Sequence, residues 1–190
     1  MLGLELGRQI RVRSRVILLV LGWGGLLLVA LWFKCAPEHD SLLQGSSSRV
    51  RMPAFELKTA SGAMFRSENL AGKWTVVHFW ASWCKPCLAE IPVFIEFAQE
   101  WGGKPVRFVL ISLDANWGDA QRVLGSSGLP AQIISLLDAS RRVSEQFGSY
   151  QYPESYWLNP QGEVVLKWVG PQDWDHPRFK RLLSQTLLNN

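Results

Sequence analysis

The run Val76-Val77-His78-Phe79-Trp80-Ala81-Ser82-Trp83-Cys84-Lys85-Pro86-Cys87 joins an apolar strand-like segment directly to two cysteines that open a stretch of helical periodicity. Two cysteines three residues apart in a first helical turn can close a disulfide while the first stays at the open helix end. There its sulfur faces unsatisfied backbone N–H groups and the positive end of the helix dipole, which favour thiolate over thiol. Lys85 adds a neighbouring cation, and Pro86 suits a first-turn position because it has no N–H to lose. Cys84 is therefore the expected nucleophile and Cys87 the resolving thiol of a redox dithiol.

Other uses of a Cys-x-x-Cys fit the chain poorly. Zinc takes about four ligands, and there is no second Cys-x-x-Cys and only three scattered histidines. Residue 88 is Leu88, so the pattern is not a c-type haem attachment site. A purely structural disulfide closing so short a loop would restrict the unfolded chain little. No metal and no cofactor is expected, since the dithiol itself carries the electrons.

The alternation of elements sets the fold class. Phe55 to Leu57 and Met64 to Arg66 read as short strands around Ser61-Gly62, and Thr75 to Trp80 as a buried strand. A helix is expected from Lys85 to Trp101, with Leu88, Ile91, Phe94 or Ile95 and Ala98 at helical spacing and Pro92 inside it. Val106 to Ser112 and Gln132 to Leu136 read as strands, with short helices over Asp119 to Ser126 and Ser140 to Phe147. Glu154 to Leu158 and Val164 to Val169 make a hairpin across Asn159-Pro160-Gln161-Gly162, and Pro177 to Leu188 a last helix capped by Asp175. Such an order predicts an α/β fold, a mixed central sheet with helices on both faces.

The first fifty residues have a different character. Val16 to Phe33 is eighteen residues without a charge, enough at about 1.5 Å per residue to cross most of a roughly 30 Å hydrocarbon layer. Arg8, Arg11, Arg13 and Arg15 precede it against Glu5 alone, which puts residues 1–15 in the cytoplasm and the chain after Lys34 outside. A cleaved signal peptide is the competing reading, but Ala30-Leu31-Trp32-Phe33 ends in bulky residues where cleavage wants small ones. Residues 34–51, with Pro37, Gly45 and Ser46-Ser47-Ser48, read as a flexible tether, and 52–190 as one domain. Cys35 reads as a spare thiol, and His39 and His176 as solvent-exposed.

The formal charge of +4 belongs to that N-terminal segment. Residues 1–34 hold five Arg or Lys and one Glu, a net of +4, leaving fifteen basic and fifteen acidic residues in the rest. The ten Trp have no basic patch to interleave with, so nucleic-acid recognition is not supported.

Several separated motifs together carry a family resemblance. Met52-Pro53-Ala54-Phe55-Glu56-Leu57, Ser61-Gly62, Asn69-Leu70-Ala71-Gly72-Lys73, Ala81-Ser82-Trp83-Cys84, Pro86-Cys87, Glu90, Pro92, Tyr152-Pro153-Glu154-Ser155 and Leu158 to Glu163 resemble the TlpA-, ResA- and DsbE-like proteins. These are membrane-anchored thiol-disulfide oxidoreductases. The resemblance covers about residues 50 to 170. It implies a thioredoxin fold with an N-terminal β extension, Glu90 as acid/base partner of Cys87, and Pro153 as a cis-proline facing the dithiol. Trp83, Tyr152 and Pro153 are then the expected substrate-contacting residues, with the backbone of Tyr152 pairing with an extended client segment.

His78 departs from the pattern. Thioredoxins place a buried aspartate six residues before the first cysteine, so the proton relay behind Cys87 is open at this point, and His78 is not counted as catalytic. The implied partners are a client protein with a cysteine pair, with apocytochrome c as one candidate, and a membrane thiol donor of electrons. The implied activity is reduction of client disulfides on the periplasmic or extracytoplasmic side of the cytoplasmic membrane. A disulfide-forming oxidant and a client-binding module with an idle dithiol are the alternatives.

Overall fold

A computed structural model describes residues 50–125 and 129–188, and the apolar run before the dithiol is the centre of its sheet. In β3 (Trp74–Trp80) every residue from Thr75 onward is buried, as expected of a strand paired on both edges and covered on both faces. It pairs in parallel with β4 (Val106–Ser112), from Trp74 opposite Val106 to Trp80 opposite Ser112. On its other edge it runs antiparallel to β6 (Glu154–Leu158), setting His78 opposite Ser155. β4 continues in parallel to β5 (Ile133–Leu137), and β7 (Val164–Val169) lies antiparallel outside β6. The hairpin of β1 (Glu56–Thr59) and β2 (Met64–Arg66) adds to the far edge through β1 on β5. The order β2-β1-β5-β4-β3-β6-β7 is a thioredoxin-like mixed sheet with an N-terminal β extension, as the sequence led us to expect.

A 3-10 helix at Ser67–Leu70 and four α-helices complete the described part: α1 (Lys85–Glu100), α2 (Trp117–Leu124), α3 (Arg142–Gln146) and α4 (Pro177–Leu188). α1 buries Cys87, Glu90, Ile91, Phe94, Phe97 and Ala98, positions that recur every three or four residues and therefore share one face. That face meets an aromatic cluster in which Trp174 lies 5.0 Å from Phe94, 5.4 Å from Phe97 and 4.7 Å from Phe179 of α4, centroid to centroid. On the opposite face of β3, Phe79 packs edge-on against Phe147 at 5.2 Å and Tyr156 at 5.9 Å. Alternation along β3 thus sends His78 and Phe79 to different layers.

Element ends differ from the sequence reading where capping decides. α2 begins two residues earlier than expected because Asn116 caps it, its Oδ1 accepting from the Asp119 N–H at 3.1 Å. At α4, His176 replaces Asp175 in that role: its Nδ1 accepts from the Arg178 N–H at 3.2 Å, and the side chain is exposed. α3 starts at Arg142, not Ser140, because Arg141 takes a left-handed conformation with φ 59°. The β6–β7 turn depends on Gly162, whose φ of 76° favours glycine, while Asn159 Oδ1 accepts from the N–H groups of Gln161 and Glu163. Val50 and Arg51 already pair with this hairpin, through Val164 N–H to Val50 O at 2.8 Å and an Arg51–Glu163 bridge. Backbone pairing therefore begins just before the expected start of the domain at Met52. The segments 1–15 and 16–33, most of the tether, Cys35 and His39 lie outside the described residues.

Candidate active site

Cys84 is the N-cap of α1, in extended backbone geometry at φ −90° and ψ 98°, with Pro86 in the first turn. Its Sγ accepts a hydrogen bond from the Cys87 N–H at 3.3 Å, the contact a capping oxygen makes in other helices. The two cysteines form a disulfide with Cα atoms 5.2 Å apart. Cys87 is fully buried beneath it, whereas Cys84 keeps 7% of its surface. An attacking client reaches Cys84 and not Cys87, which is the asymmetry the sequence assigned. The loop ahead of Cys84 is held from below by the buried Asp114, which accepts from the Ser82 N–H at 3.1 Å and from its hydroxyl at 2.7 Å.

The segment expected to face the dithiol does so. The Tyr152-Pro153 bond is cis, and the Tyr152 carbonyl oxygen lies 3.5 Å from Cys84 Sγ. Tyr152 is partly buried, and its hydroxyl donates to Ser149 O at 3.0 Å, so the large ring lies along the domain surface. Trp83 meets that ring edge-on at 6.2 Å and remains 54% exposed, while Trp80 is fully buried. Of the two tryptophans, Trp83 is the rim and Trp80 the core, as read from the sequence.

Glu90 lies one helical turn beyond Cys87 on the same buried face, with 4% of its surface exposed. Its Oε1 accepts from the Trp174 indole N–H and from the Gln172 N–H, and its Oε2 has no partner among the described residues. Burial pushes its pKa up to about 7, outweighing the two hydrogen bonds, which favour the charged form. A carboxyl that titrates near neutrality directly behind a dithiol can take a proton or give one. Trp174 and Gln172 were not singled out in the sequence; they approach only because the β7–α4 connection packs against the buried face of α1.

His78 is fully buried. Its Nδ1 is 2.8 Å from Ser155 Oγ, its ring stacks on Phe94 at 4.7 Å, and its Nε2 has no partner among the described residues. Burial pushes its pKa down to about 3, so the ring is neutral at ordinary pH. It carries no charge with which to stabilise a thiolate. The site therefore has one group behind the dithiol that changes protonation near pH 7, and that group is Glu90.

A profile of the AhpC/TSA family matches residues 49–167. The chain is 37% identical over 102 residues to the thiol:disulfide interchange protein CycY of Rhizobium leguminosarum bv. viciae, a match covering 54% of this chain and about half, 53%, of that protein. It is 29% identical over 150 residues to sporulation thiol-disulfide oxidoreductase A of Bacillus subtilis (strain 168), covering 77% of this chain and 86% of that one. Among solved structures, a putative thiol:disulfide interchange protein DsbE from Chlorobium tepidum superposes with a TM-score of 0.64 at 26% identity, covering 77% of this chain and 99% of the other. With a capped dithiol at the head of α1 in a thioredoxin-like sheet, the chain belongs to the AhpC/TSA family, as one of its thiol-disulfide oxidoreductases.

Proposed function

We propose that the protein is an extracytoplasmic reductase of client disulfides, held to the cytoplasmic membrane by residues 16–33, with 1–15 inside, 34–51 as tether and 52–190 as the catalytic domain. The observation that carries the exchange chemistry is the buried carboxyl of Glu90 behind the Cys84–Cys87 pair, its pKa pushed up to about 7 by burial. In the reduced protein the Cys84 thiolate attacks one sulfur of a client disulfide, forming a mixed disulfide and releasing the client's other sulfur as thiolate. Cys87 then passes its proton to Glu90 and attacks Cys84 Sγ. The client leaves with both sulfurs reduced, and the protein holds the Cys84–Cys87 disulfide until a membrane thiol donor returns two electrons. The Tyr152 carbonyl and Pro153 lie where an extended client segment would pair, with Trp83 beside it.

The uncharged run Val16 to Phe33 behind four arginines supports the anchor. It lies outside the described residues, among which no helix is long and apolar enough to cross a membrane. A reporter fused after Asn190 is expected to be active only outside the cytoplasm, with the uncut N-terminus retained in the membrane. A soluble form beginning after Ala30 would replace the anchor by a cleaved signal.

Apocytochrome c is the client we favour, because Pro153-Glu154-Ser155 resembles the segment of cytochrome c maturation proteins and an oxidised haem-binding Cys-x-x-Cys cannot form thioether bonds. Cells carrying Cys84→Ser should lose covalent haem in c-type cytochromes and regain it when a small thiol reductant is added. Normal haem staining would send the client elsewhere. The reduction potential, measured in glutathione buffers, tests the reductase reading itself: a strongly reducing value supports it, and one near that of a strong oxidant, about −120 mV, would make the protein a disulfide former.

A further inference from the structure

Arg141 breaks two local rules at once. It is the one non-glycine residue with positive φ among those described, at φ 59° and ψ 11°, a region that few side-chain-bearing residues adopt. It also occupies the N-cap of α3, where a short oxygen-bearing side chain normally satisfies the first N–H groups, and it makes no side-chain cap. The turn around it is well bonded, with Arg141 N–H donating to Asp138 O at 3.0 Å and its carbonyl accepting from Glu145 N–H at 3.0 Å. Glycine or asparagine would serve that backbone better. A residue that fits its own backbone poorly is explained by where its side chain goes. The guanidinium lies 5.1 Å over the ring of Trp83, the exposed tryptophan next to Cys84.

Charge around the dithiol is sorted by depth. The carboxylates nearest the site, Glu90, Asp114 and Glu154, are all buried. Lys85, Arg141 and Arg142 are exposed and make no ion pair among the described residues, and across segments 81–90 and 138–155 Glu145 is the sole exposed acid. Within these two segments, which carry the dithiol and the cis-proline, three exposed cations stand against one exposed anion, a net of +2. Trp83 and Tyr150, 54% and 71% exposed, supply aromatic surface in the same segments.

We infer that Arg141, seated on Trp83, makes this rim a reader of client charge, favouring polypeptide disulfides flanked by acidic residues. The inference rests on the exchange reaction proposed above. A cation at the rim of a binding face acts on encounter rate and salt dependence more than on the chemical step. A guanidinium stacked on an indole is also held in place while its edge stays free to pair with a carboxylate.

The test uses the reduced protein and two synthetic peptides that differ only in carrying two Asp or two Lys beside a disulfide-bonded Cys-x-x-Cys. Rates are followed by tryptophan fluorescence and divided by each variant's own rate with neutral hydroxyethyl disulfide. Wild type should favour the acidic peptide, and raising the salt from about 0.02 M to 0.3 M should erase most of the preference. Arg141→Gly, which suits the left-handed backbone, should cut the acidic-to-basic ratio about fivefold, and Arg141→Lys should retain more than half of it. Should Arg141→Gly leave the ratio intact, or Arg141→Lys lose as much as Arg141→Gly, Arg141 does not read charge. A wild type that reacts with hydroxyethyl disulfide and both peptides without preference sinks this inference alone. One that reacts with none of the three overturns the exchange reaction, and this inference with it.

Discussion

Cys87→Ser is expected to accumulate disulfide-linked complexes with client proteins, and Cys84→Ser to form none. The argument rests on access and protonation together. Cys84 caps α1, retains exposed surface and lies beside the Tyr152 carbonyl where a client chain would run, whereas Cys87 is sealed beneath it. The helix end that donates the Cys87 N–H to Cys84 Sγ favours negative charge on that sulfur and offers Cys87 no such partner. In Cys87→Ser the first attack proceeds, but nothing resolves the mixed disulfide, so it persists until an external thiol cleaves it. In Cys84→Ser the remaining thiol cannot be reached. Turnover should fall to the uncatalysed background in both variants, and non-reducing gels of acid-quenched cells separate them. Equal trapping by the two would reverse or erase the assigned roles.

Glu90→Gln should slow exchange near pH 7 by roughly a hundredfold, within the range typical of a lost general acid or base. Gln keeps an oxygen for the Trp174 and Gln172 donors, so the fold should survive. The wild-type rate should show an inflection near pH 7, where Glu90 changes from proton donor to acceptor, and the variant should lack it. Rates equal to wild type across pH would return Glu90 to a plain core carboxyl.

Stability should respond with a definite sign. The folded-state pKa is raised to about 7 against an ordinary value of 4.5, so between those values the folded protein binds more proton than the unfolded chain. Stability therefore falls as pH rises through that window, and below it Glu90 costs nothing. The shift corresponds to about 3 kcal/mol at and above neutral pH. Denaturant unfolding at pH 5 and pH 8 should show wild type losing more than Glu90→Gln, and equal losses would mean that Glu90 ionises without penalty.

Much of this molecule is legible in its order of residues. The strand β3 announces itself by an uninterrupted apolar run, α1 by apolar positions at helical spacing, and the last hairpin by Asn159-Pro160-Gln161-Gly162, because periodicity and turn chemistry act over a few residues. Local rules also put Cys84 at the open helix end and Cys87 one turn further in, since residues three apart in a helix stand one above the other on one face. Where tertiary geometry overrides a local signal, boundaries moved: Asp175 is the expected cap by type, and the incoming chain instead brings His176 Nδ1 to the Arg178 N–H.

What only the tertiary structure decided are the properties set by distant partners. That Glu90 is a helical residue near the dithiol follows from spacing, but its near-neutral titration comes from burial in the aromatic layer around Trp174, eighty-four residues away, which outweighs the hydrogen bond from that indole N–H. His78 is visible as a polar residue in an apolar strand; its neutrality comes from complete burial, under Phe94 stacked on it, while Ser155, seventy-seven residues on, lies beside Nδ1. Arg141 looks like any surface arginine until its left-handed backbone and the Trp83 ring beneath it are seen together. The sequence by itself determined the elements, their order and the reacting sulfurs, because those follow from interactions between near neighbours. Protonation and recognition depend on dielectric, desolvation and cross-sheet contacts, which exist only once the sheet order has brought separate segments together.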